Sequence, residues 1–458
     1  MYRAEDIKVI EQNINKIKDE AATEYKKSNE PTLNKISEIY TTIKNYLKRK
    51  KRIVYGGFAQ NILLTSKNPE ESFYKTINGV FYNWPNVADI EFYSSTPLAD
   101  IIELTEELHK AGFKYIEGKE GIHSETYKIF VEFFNFCDIS YIPANINKKL
   151  PTINVNGIIC AHPHFMMIDS YRISTDPMTS YWILDKTIYR FQKLIKYYPI
   201  DRTFVKKKIQ LKSNQDILNF IRKEIIHNSK LVVVGFYAFD YYMEKVSNDL
   251  KISNYPYYEI ISMELEKDAR NILKILKSKY KKNITTKEYH PFFQFTDKKI
   301  EFFNNNQLVL RLFGNNNRCT VYNYSDKKLT HFGTFNLVFL YLLFDYFYAI
   351  IVNNKNDKEL YQALIAKLYD GRIEYLNNNN LNVVDVSPFQ DFTFKCHGIT
   401  EETIRSAMIK GILDRNKGKY KFNYKPKGTI GKIPEYNFLN TSGNQNLNKK
   451  NLILIKNI

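Results

Sequence analysis

The sequence has few cysteines and no closely spaced pair of them. The four cysteines of the 458-residue chain are Cys137, Cys160, Cys319 and Cys396. They lie far apart and none forms the Cys-x-x-Cys spacing that is typical of zinc sites, which argues against a zinc module and indicates a reducing compartment. An N-terminal apolar stretch is missing as well, because residues 1–20 are charged throughout. We therefore expect no signal peptide.

Long uncharged apolar runs are also scarce. The run that most resembles a membrane span is residues 335–352, and it carries Asp345 near its middle. A central aspartate costs about 2.5–3.5 kcal/mol in a bilayer. We predict a buried core helix there and no membrane association.

Negative charge is outnumbered by positive charge. The chain has 67 lysines and arginines against 49 aspartates and glutamates, a net charge of +18. This balance predicts a polyanionic partner, and nucleic acid is favoured over a membrane because the basic residues do not gather on one amphipathic helix. Hydrophobic residues make up 44% of the chain, enough for real cores, and the length predicts two or three domains.

A glycine pair follows a short apolar stretch. Residues 52–55 predict a β-strand that runs into Gly56 and Gly57, and residues 58–64 fit the first turns of a helix. Consecutive glycines let the backbone approach an anion and point N–H groups at it. A helix N-terminus also favours phosphate. The segment therefore predicts a phosphate-binding turn.

Acidic residues follow the glycine pair. Asp89 and Glu91 are two apart on a predicted strand, residues 87–93, so both side chains should face one side of the sheet. Asp138 ends a third apolar run, residues 129–137, and could join that face. Neighbouring carboxylates repel each other unless cations lie between them. We predict that Asp89, Glu91 and Asp138 bind two Mg²⁺ or Mn²⁺ ions beside a nucleoside triphosphate.

Six short segments carry a resemblance to a known family. They are YGGFAQN (55–61), DIEFYS (89–94), CDISYIP (137–143), AHP (161–163), PMTSYW (177–182) and FLNTSGN (438–444). The first three resemble the nucleotidyltransferase motif of the polymerase-beta superfamily. Together the six resemble the poly(A) polymerase catalytic subunits of large DNA viruses, the poxvirus, asfarvirus and mimivirus-like group. The similarity spans most of the chain.

The resemblance implies both a fold and an activity. The fold would be α+β: a nucleotidyltransferase-type mixed sheet with flanking helices, followed by a second, degenerate nucleotidyltransferase-like domain. The activity would be template-independent addition of AMP from ATP to the 3′ end of mRNA by a two-metal mechanism. Asp89 and Glu91 would bridge both ions, Asp138 would bind the catalytic ion, and the backbone of Gly56 and Gly57 would hold the β- and γ-phosphates.

Two departures from the superfamily pattern stand out. Phe58 follows the glycines, where many members carry a serine that contacts phosphate. The spacing from Gly57 to Asp89 is long and implies an inserted loop.

Further contacts to ATP are assigned by their position after the third acid. Arg172 and Lys186 could pair with phosphate, and Tyr181 could stack on adenine. His162 and His164 form a His-x-His pair without further metal-ligand spacing, and we interpret it as a structural turn.

A second part of the chain repeats the pattern of the first. Residues 231–277 match the strand, glycine turn, strand and helix of residues 53–112. In the repeat Tyr257 replaces the first acid, Glu259 keeps the second, and Arg311 replaces the third. Such a copy could keep the fold but could not hold two metal ions.

The C-terminal region is basic and Asn-rich, and residues 415–432 interleave lysines with aromatic residues. Either this is a strip that binds the RNA backbone, or it is an edge strand with aromatic side chains in the core and lysines in water. The predicted regions are an N-terminal helical segment (1–50), a catalytic nucleotidyltransferase domain (51–195), a degenerate nucleotidyltransferase-like domain (196–352) and the C-terminal region (353–458).

Two other functions stay open from the sequence. The catalytic motif alone would fit a CCA-adding or oligoadenylate-forming enzyme, and the basic charge would fit a non-catalytic RNA-binding processivity subunit. The intact acids argue against the second. The expected partners are RNA and ATP, with a homodimer and a location in the virion and host cytoplasm implied by the resemblance alone.

Overall fold

The computed structural model describes residues 2–28, 33–83, 86–121, 125–203, 214–252, 254–293, 295–315, 319–398 and 422–426. Contacts within the chain define two compact units. Unit 1 comprises residues 1–147, 152–161 and 413–458, and unit 2 comprises 148–151 and 162–412. The division of the sequence into four regions stays a prediction. Within the described part of the chain, no helix is long and apolar enough to cross a membrane.

Unit 1 combines helices with a mixed sheet, and the helices pack through apolar stripes. Ile39, Ile43 and Tyr46 lie on one face of the second helix and are essentially inaccessible to solvent, as expected from their spacing. The fourth helix begins at Pro97, a favoured first position, and ends just before Gly112, whose φ is +92°. The helices are α1 (Ala4–Ser28), α2 (Leu33–Lys50), α3 (Gly56–Thr65), α4 (Pro97–Lys110) and α5 (Ala144–Asn147).

The main sheet of unit 1 runs β19-β6-β7-β8-β5-β1-β10-β9, with β5 parallel to β8 and β1 parallel to β10. A small sheet β2-β3-β4 occupies the interval after the glycine turn, where the sequence predicted an inserted loop. The strands are β1 (Ile53–Tyr55), β2 (Lys75–Ile77), β3 (Val80–Asn83), β4 (Asn86–Val87), β5 (Ile90–Ser94), β6 (Glu117–Glu120), β7 (Thr126–Val131), β8 (Phe134–Tyr141), β9 (Thr152–Val155), β10 (Ile158–Ala161) and, from the C-terminal region, β19 (Asn423–Tyr424).

Two predicted strand limits in unit 1 were wrong. Asp89 lies just before β5, not within a strand that starts at residue 87. The run 129–137 is a hairpin rather than one strand, because the chain turns at Glu132 and Phe133, both with positive φ. Asp138 therefore lies inside β8 instead of at the end of a strand.

Unit 2 is built around a second mixed sheet. Its helices are α6 (Pro163–Ser174), α7 (Pro177–Ser180), α8 (Leu184–Tyr197), α9 (Gln215–Ile221), α10 (Gly235–Val246), α11 (Leu265–Tyr280), α12 (Phe335–Ile351) and α13 (Lys355–Asn378). A 3₁₀ turn, Tyr181–Ile183, leads into α8. Its strands are β11 (Val232–Val234), β12 (Tyr258–Ser262), β13 (Ile284–Tyr289), β14 (Lys299–Asn304), β15 (Gln307–Gly314), β16 (Thr320–Ser325), β17 (Thr330–Gly333) and β18 (Cys396–His397).

The sheet of unit 2 repeats the topology of unit 1. Its order is β13-β14-β15-β12-β11-β17-β16-β18. In this order β11 and β12 occupy the central places that β1 and β5 occupy in unit 1. Strands β13 to β17 correspond, one by one, to β6 to β10. The pairings agree in direction: β12 is parallel to β15 and β11 is parallel to β17. The expected α+β fold with a second nucleotidyltransferase-like domain is confirmed.

The apolar run that could be mistaken for a membrane span is the buried core helix α12, as predicted. Unit 2 also differs from expectation at its cysteines. Cys319 and Cys396 form a disulfide across the β16–β18 edge, 77 residues apart in sequence. Cys137 and Cys160 are buried free thiols.

Candidate active site

The Gly56–Gly57 turn lets the backbone approach the Glu91 carboxylate closely. Gly56 begins α3 with φ +64°, and a Cβ at this position would collide with the Glu91 carboxylate. The N–H of Gly57 donates a hydrogen bond to Glu91 Oε2 at 3.0 Å. The anion that meets this turn is therefore Glu91 itself, and binding of phosphate by Gly56 and Gly57 stays a prediction.

Phe58 explains one departure from the superfamily pattern. Its side chain is 1% exposed and packs against Tyr40 and Phe81, with ring centroids 6.2 and 5.4 Å away. The position is a core position here, so an apolar residue replaces a hydroxyl.

The predicted acids gather at neighbouring positions of the sheet. Glu91 on β5 is the register partner of Asp138 on β8 and of Tyr55 on β1. Asp89 precedes β5 directly. Burial raises the pKa of the Cys137 thiol first, and the negative charges of Asp138, Asp89 and Glu91 raise it further. The negative charges of all three carboxylates therefore raise the pKa of the same thiol.

Asp138 is held on both of its oxygens. Lys128 Nζ lies 2.5 Å from Oδ2, and Asn135 Nδ2 donates to Oδ1 at 2.9 Å. Lys128 is the register partner of Asp138 on β7, and the two side chains are 27% and 13% exposed. The sequence pattern does not reveal Lys128 and Asn135 as partners of Asp138. It predicts one strand where the chain forms the hairpin that brings them together.

The donor chemistry of the site fits divalent ions. Three carboxylates are hard oxygen ligands of the kind that Mg²⁺ and Mn²⁺ prefer, and the ammonium group of Lys128 already supplies a cation to one of them. Among the residues that the structure describes, however, no group of three or more histidine, cysteine, aspartate or glutamate side chains is placed so that it could hold a metal ion. Metal binding by Asp89, Glu91 and Asp138 stays a prediction.

Family models match nearly the whole chain. The model described as "Poly(A) polymerase catalytic subunit" matches residues 41–180. The model described as "APMV, Putative poly(A) polymerase, catalytic subunit, C-terminal" matches residues 192–456, more than half of the chain. The chain belongs to the poly(A) polymerase catalytic-subunit family.

Individual viral members of this family are also similar. A poly(A) polymerase catalytic subunit of Acanthamoeba polyphaga mimivirus is 28% identical over 99% of this chain and 84% of its own length. An African swine fever virus homologue is 25% identical over 37% of this chain and 35% of its own length. The crystal structure of the Megavirus polyadenylate synthase matches with a TM-score of 0.84 and 27% identity, covering 93% of this chain and 87% of that one.

The candidate site of unit 1 has a charge-inverted counterpart in unit 2. Glu259 and Arg311 are register partners, as Glu91 and Asp138 are in unit 1. Arg311 is also paired in register with Glu301, where unit 1 has Asp138 opposite Lys128. In unit 1 the basic residue lies on the first strand of the hairpin and the acid on the second. In unit 2 the acid lies on the first strand and the basic residue on the second.

Arg311 supplies a permanent cation to this counterpart. It lies 3.2 Å from Glu259, 3.0 Å from Glu301 and 3.2 Å from Asp345 of α12. Its guanidinium also lies over the Tyr257 ring, 4.6 Å from the centroid. Burial raises the pKa of Glu259, and the adjacent Asp345 raises it further. The glutamate at the Glu91 position is therefore paired with a guanidinium in unit 2.

The three residues predicted to contact ATP outside the motif all belong to unit 2. Arg172 on α6 is 17% exposed and pairs with Asp169 at 3.0 Å. Tyr181 opens the 3₁₀ turn and is 72% exposed, and Lys186 is exposed on α8. No ligand contact of Arg172, Tyr181 or Lys186 is tested, so their role stays a prediction.

The His-x-His pair has a structural role. His162 precedes α6, and its Nδ1 accepts the N–H of His164 at 3.2 Å. Burial lowers the pKa of His162 to about 4, and the neighbouring His164 contributes. The interpretation as a structural turn agrees with these contacts.

The described part of the basic tail is an edge strand. β19 pairs with β6, Phe422 packs on Tyr127, and Lys425 Nζ lies 3.6 Å from a Glu117 carboxylate oxygen. This favours the edge-strand interpretation for residues 422–426. The remainder of 415–432 lies outside the described residues.

Proposed function

We propose that this chain extends RNA 3′ ends with AMP from ATP, without a template, and releases pyrophosphate. The observation that carries the proposal is the register pair of Glu91 and Asp138 beside the Gly56 turn, in a chain of the poly(A) polymerase family. The names of the relatives support ATP and RNA as substrates.

Asp89, Glu91 and Asp138 would hold the divalent ions, two Mg²⁺ or Mn²⁺. When bound, such ions lower the pKa of the attacking 3′-hydroxyl and neutralise the leaving pyrophosphate. The chain's own groups orient the acids. The Gly57 N–H fixes Glu91, while Lys128 and Asn135 fix Asp138. Carboxylates that are already in position need not rearrange during the reaction. Electrostatic stabilisation of the transition state is largest when the charged groups are preorganised in this way.

Contacts to ATP are proposed on chemical grounds. To bind phosphate through the Gly56–Gly57 turn, the Gly57 N–H would have to exchange the Glu91 carboxylate for a phosphate oxygen. Arg172 and Lys186 carry the charge to pair with phosphate, and Tyr181 offers an exposed ring to adenine. Arg172→Gln and Lys186→Gln should each raise the KM for ATP. An unchanged KM in both variants would remove the two residues from the ATP site.

A primer-extension assay with each of the four nucleoside triphosphates tests the proposal. We expect ATP alone to be added repeatedly to an unrelated RNA 3′ end. Asp89→Asn and Asp138→Asn should each reduce extension on the order of 10²-fold or more while the protein stays folded. Addition limited to CTP and ATP would favour a CCA-adding enzyme. Undiminished extension by folded Asp89→Asn would contradict the site assignment.

The oligomeric state and the location are separate proposals. The resemblance to viral relatives favours a homodimer, and sedimentation velocity of the purified chain checks it directly. A virion and host-cytoplasm location would be checked by detecting the chain in purified particles.

A further inference from the structure

One face of α8 and the turn before it combines exposed aromatic rings with half-buried basic side chains. Trp182 is 66% exposed and Tyr189 is 49% exposed. Tyr189, Arg190 and Lys193 follow Trp182 by seven, eight and eleven positions. At these spacings the four side chains occupy one side of the helix and its leading turn. We call Trp182, Tyr189, Arg190 and Lys193 the α8 strip.

The α8 strip is unusual for a surface. In α8 only Leu194 is fully buried, so most of the helix is accessible. Lys193 Nζ lies 4.8 Å from the Tyr189 ring centroid, and the Trp182 ring meets Tyr181 edge-on at 5.7 Å. Exposed aromatic rings that lie together on one face mark a contact surface, whereas single exposed rings are ordinary.

We propose that the α8 strip binds the single-stranded RNA substrate by base stacking on Trp182 and Tyr189, with Arg190 and Lys193 on the phosphates. Base–aromatic stacking needs no particular sequence, because every base has a π-face, and interleaved cations follow the backbone. The proposal rests on the RNA substrate proposed above and names the surface that holds it.

The size and charge of the strip fit a short stretch of RNA. The eleven steps from Trp182 to Lys193 span about 17 Å at the helical rise per residue, which equals about five nucleotides at the rise of a stacked strand. Asp185 is the one acidic side chain of α8. Tryptophan, tyrosine and arginine are also enriched at protein interfaces, so contact with a second copy of the chain is one of the outcomes that the test below distinguishes.

Trp182 itself can report the binding. The chain has two tryptophans, Trp84 and Trp182, so Trp84→Phe leaves Trp182 as a single fluorophore. We expect an RNA oligonucleotide of about 15 adenylates to quench this fluorescence beyond any effect of saturating ATP. Quenching by ATP with no further effect of RNA would assign the ring to the nucleotide and overturn the proposal.

Affinity measurements separate stacking from backbone contact. Trp182→Ala and Tyr189→Ala should each weaken RNA binding about tenfold, the usual effect of losing one stacked base. Lys193→Gln should reduce the salt slope of log affinity by about 0.7. Phe394→Ala is the matched control, because Phe394 is as exposed as Trp182, at 66%, but lies outside the strip.

The outcomes distinguish this proposal from the proposed function. RNA extension by the wild type, with unchanged RNA affinity in Trp182→Ala and Tyr189→Ala, would overturn the strip and leave the activity intact. Absence of RNA binding and extension by the wild type would instead refute the activity. If Trp182→Ala converts a dimer to a monomer in sedimentation without changing RNA affinity, the strip joins two copies and does not bind RNA.

Discussion

Glu91 and Glu259 occupy the same position in two sheets but have different neighbours. Glu91 accepts the Gly57 N–H and has the acid Asp138 as its register partner. Glu259 is 1% exposed and meets the guanidinium of Arg311 at 3.2 Å. We therefore propose that the position carries chemistry in unit 1, whereas in unit 2 its glutamate is paired with a guanidinium.

Substituting these two glutamates should separate the two roles. Glu91→Gln should reduce extension on the order of 10²-fold with little change in stability. Glu259→Gln should keep the turnover number near wild type and lower the unfolding temperature, because Arg311 loses one of its buried partners. Primer extension and thermal unfolding of both variants check this. Loss of turnover in folded Glu259→Gln would contradict the assignment of unit 2 as non-catalytic.

The close packing of the glycine turns predicts how much stability is lost when single glycines are replaced by alanine. Gly112 has φ +92° and nothing near its missing Cβ, so Gly112→Ala should cost only the conformational strain, about 1–2 kcal/mol. Gly56→Ala and Gly235→Ala carry the same strain and also collide with Glu91 and Glu259. We expect both to lower the unfolding temperature at least twice as far as Gly112→Ala. Equal losses in the three variants would refute the steric argument.

At the level of elements, the sequence predicts what local pattern determines. The order strand, glycine turn, helix and acidic strand is correct in both units, as is the buried helix α12. The β7–β8 hairpin was missed because its turn uses Glu132 and Phe133 at positive φ, with neither glycine nor proline to mark it. The Lys128–Asp138 pair depends on that register, and so could not be read from spacing.

Helix α10 offers a test of a buried acid. Asp240 is 7% exposed, and its Oδ1 accepts the Ile252 N–H at 2.6 Å. Burial raises the pKa of Asp240 to about 7, with the nearby Glu244 acting in the same direction and Lys251 and Lys328 against it. Because the folded-state pKa lies above the unfolded value, the stabilisation is full below about pH 4 and is lost as the pH rises to about 7.

Asp240→Asn should therefore be relatively more stable at pH 8 than at pH 5. The asparagine Oδ1 can still accept the Ile252 N–H but never becomes charged. We expect the gap in unfolding temperature between variant and wild type to widen with pH by on the order of 5 °C. Asp326→Asn, at an exposed acid, controls for the loss of one charge. A gap that stays constant from pH 5 to pH 8 would contradict the titration of Asp240.

At the scale of the whole molecule, long-range pairing limits what the sequence reveals. The Cys319–Cys396 disulfide joins residues 77 positions apart, and β19 returns from the C-terminal region to the first sheet. Neither contact follows from local pattern, because each depends on the completed sheets. The net charge of +18 is a whole-chain property that the sequence does provide.

That charge predicts the salt dependence of RNA binding. Log affinity should fall linearly with log salt, with a slope of about −0.7 per phosphate contacted. Replacing Lys417, Lys419 and Lys421 by Gln should flatten the slope if this segment, which lies outside the described residues, contacts RNA. Lys425→Gln should leave the slope unchanged, because Lys425 already pairs with Glu117. Equal slopes in the triple variant and the wild type would return those lysines to the edge-strand interpretation.

The two glycine turns have a consequence for how such proteins are recognised in genomes. Gly235 is held by the same steric requirement as Gly56, although its unit has exchanged an acid for Arg311. Selection for a stable fold would thus preserve the strand–glycine–helix signature in a copy that has lost its chemistry. A database search keyed to that signature would count inactive copies as enzymes. On the site assignment proposed above, the residue at the Asp138 position separates the two cases: a carboxylate there would indicate a catalytic copy, and a guanidinium a non-catalytic one.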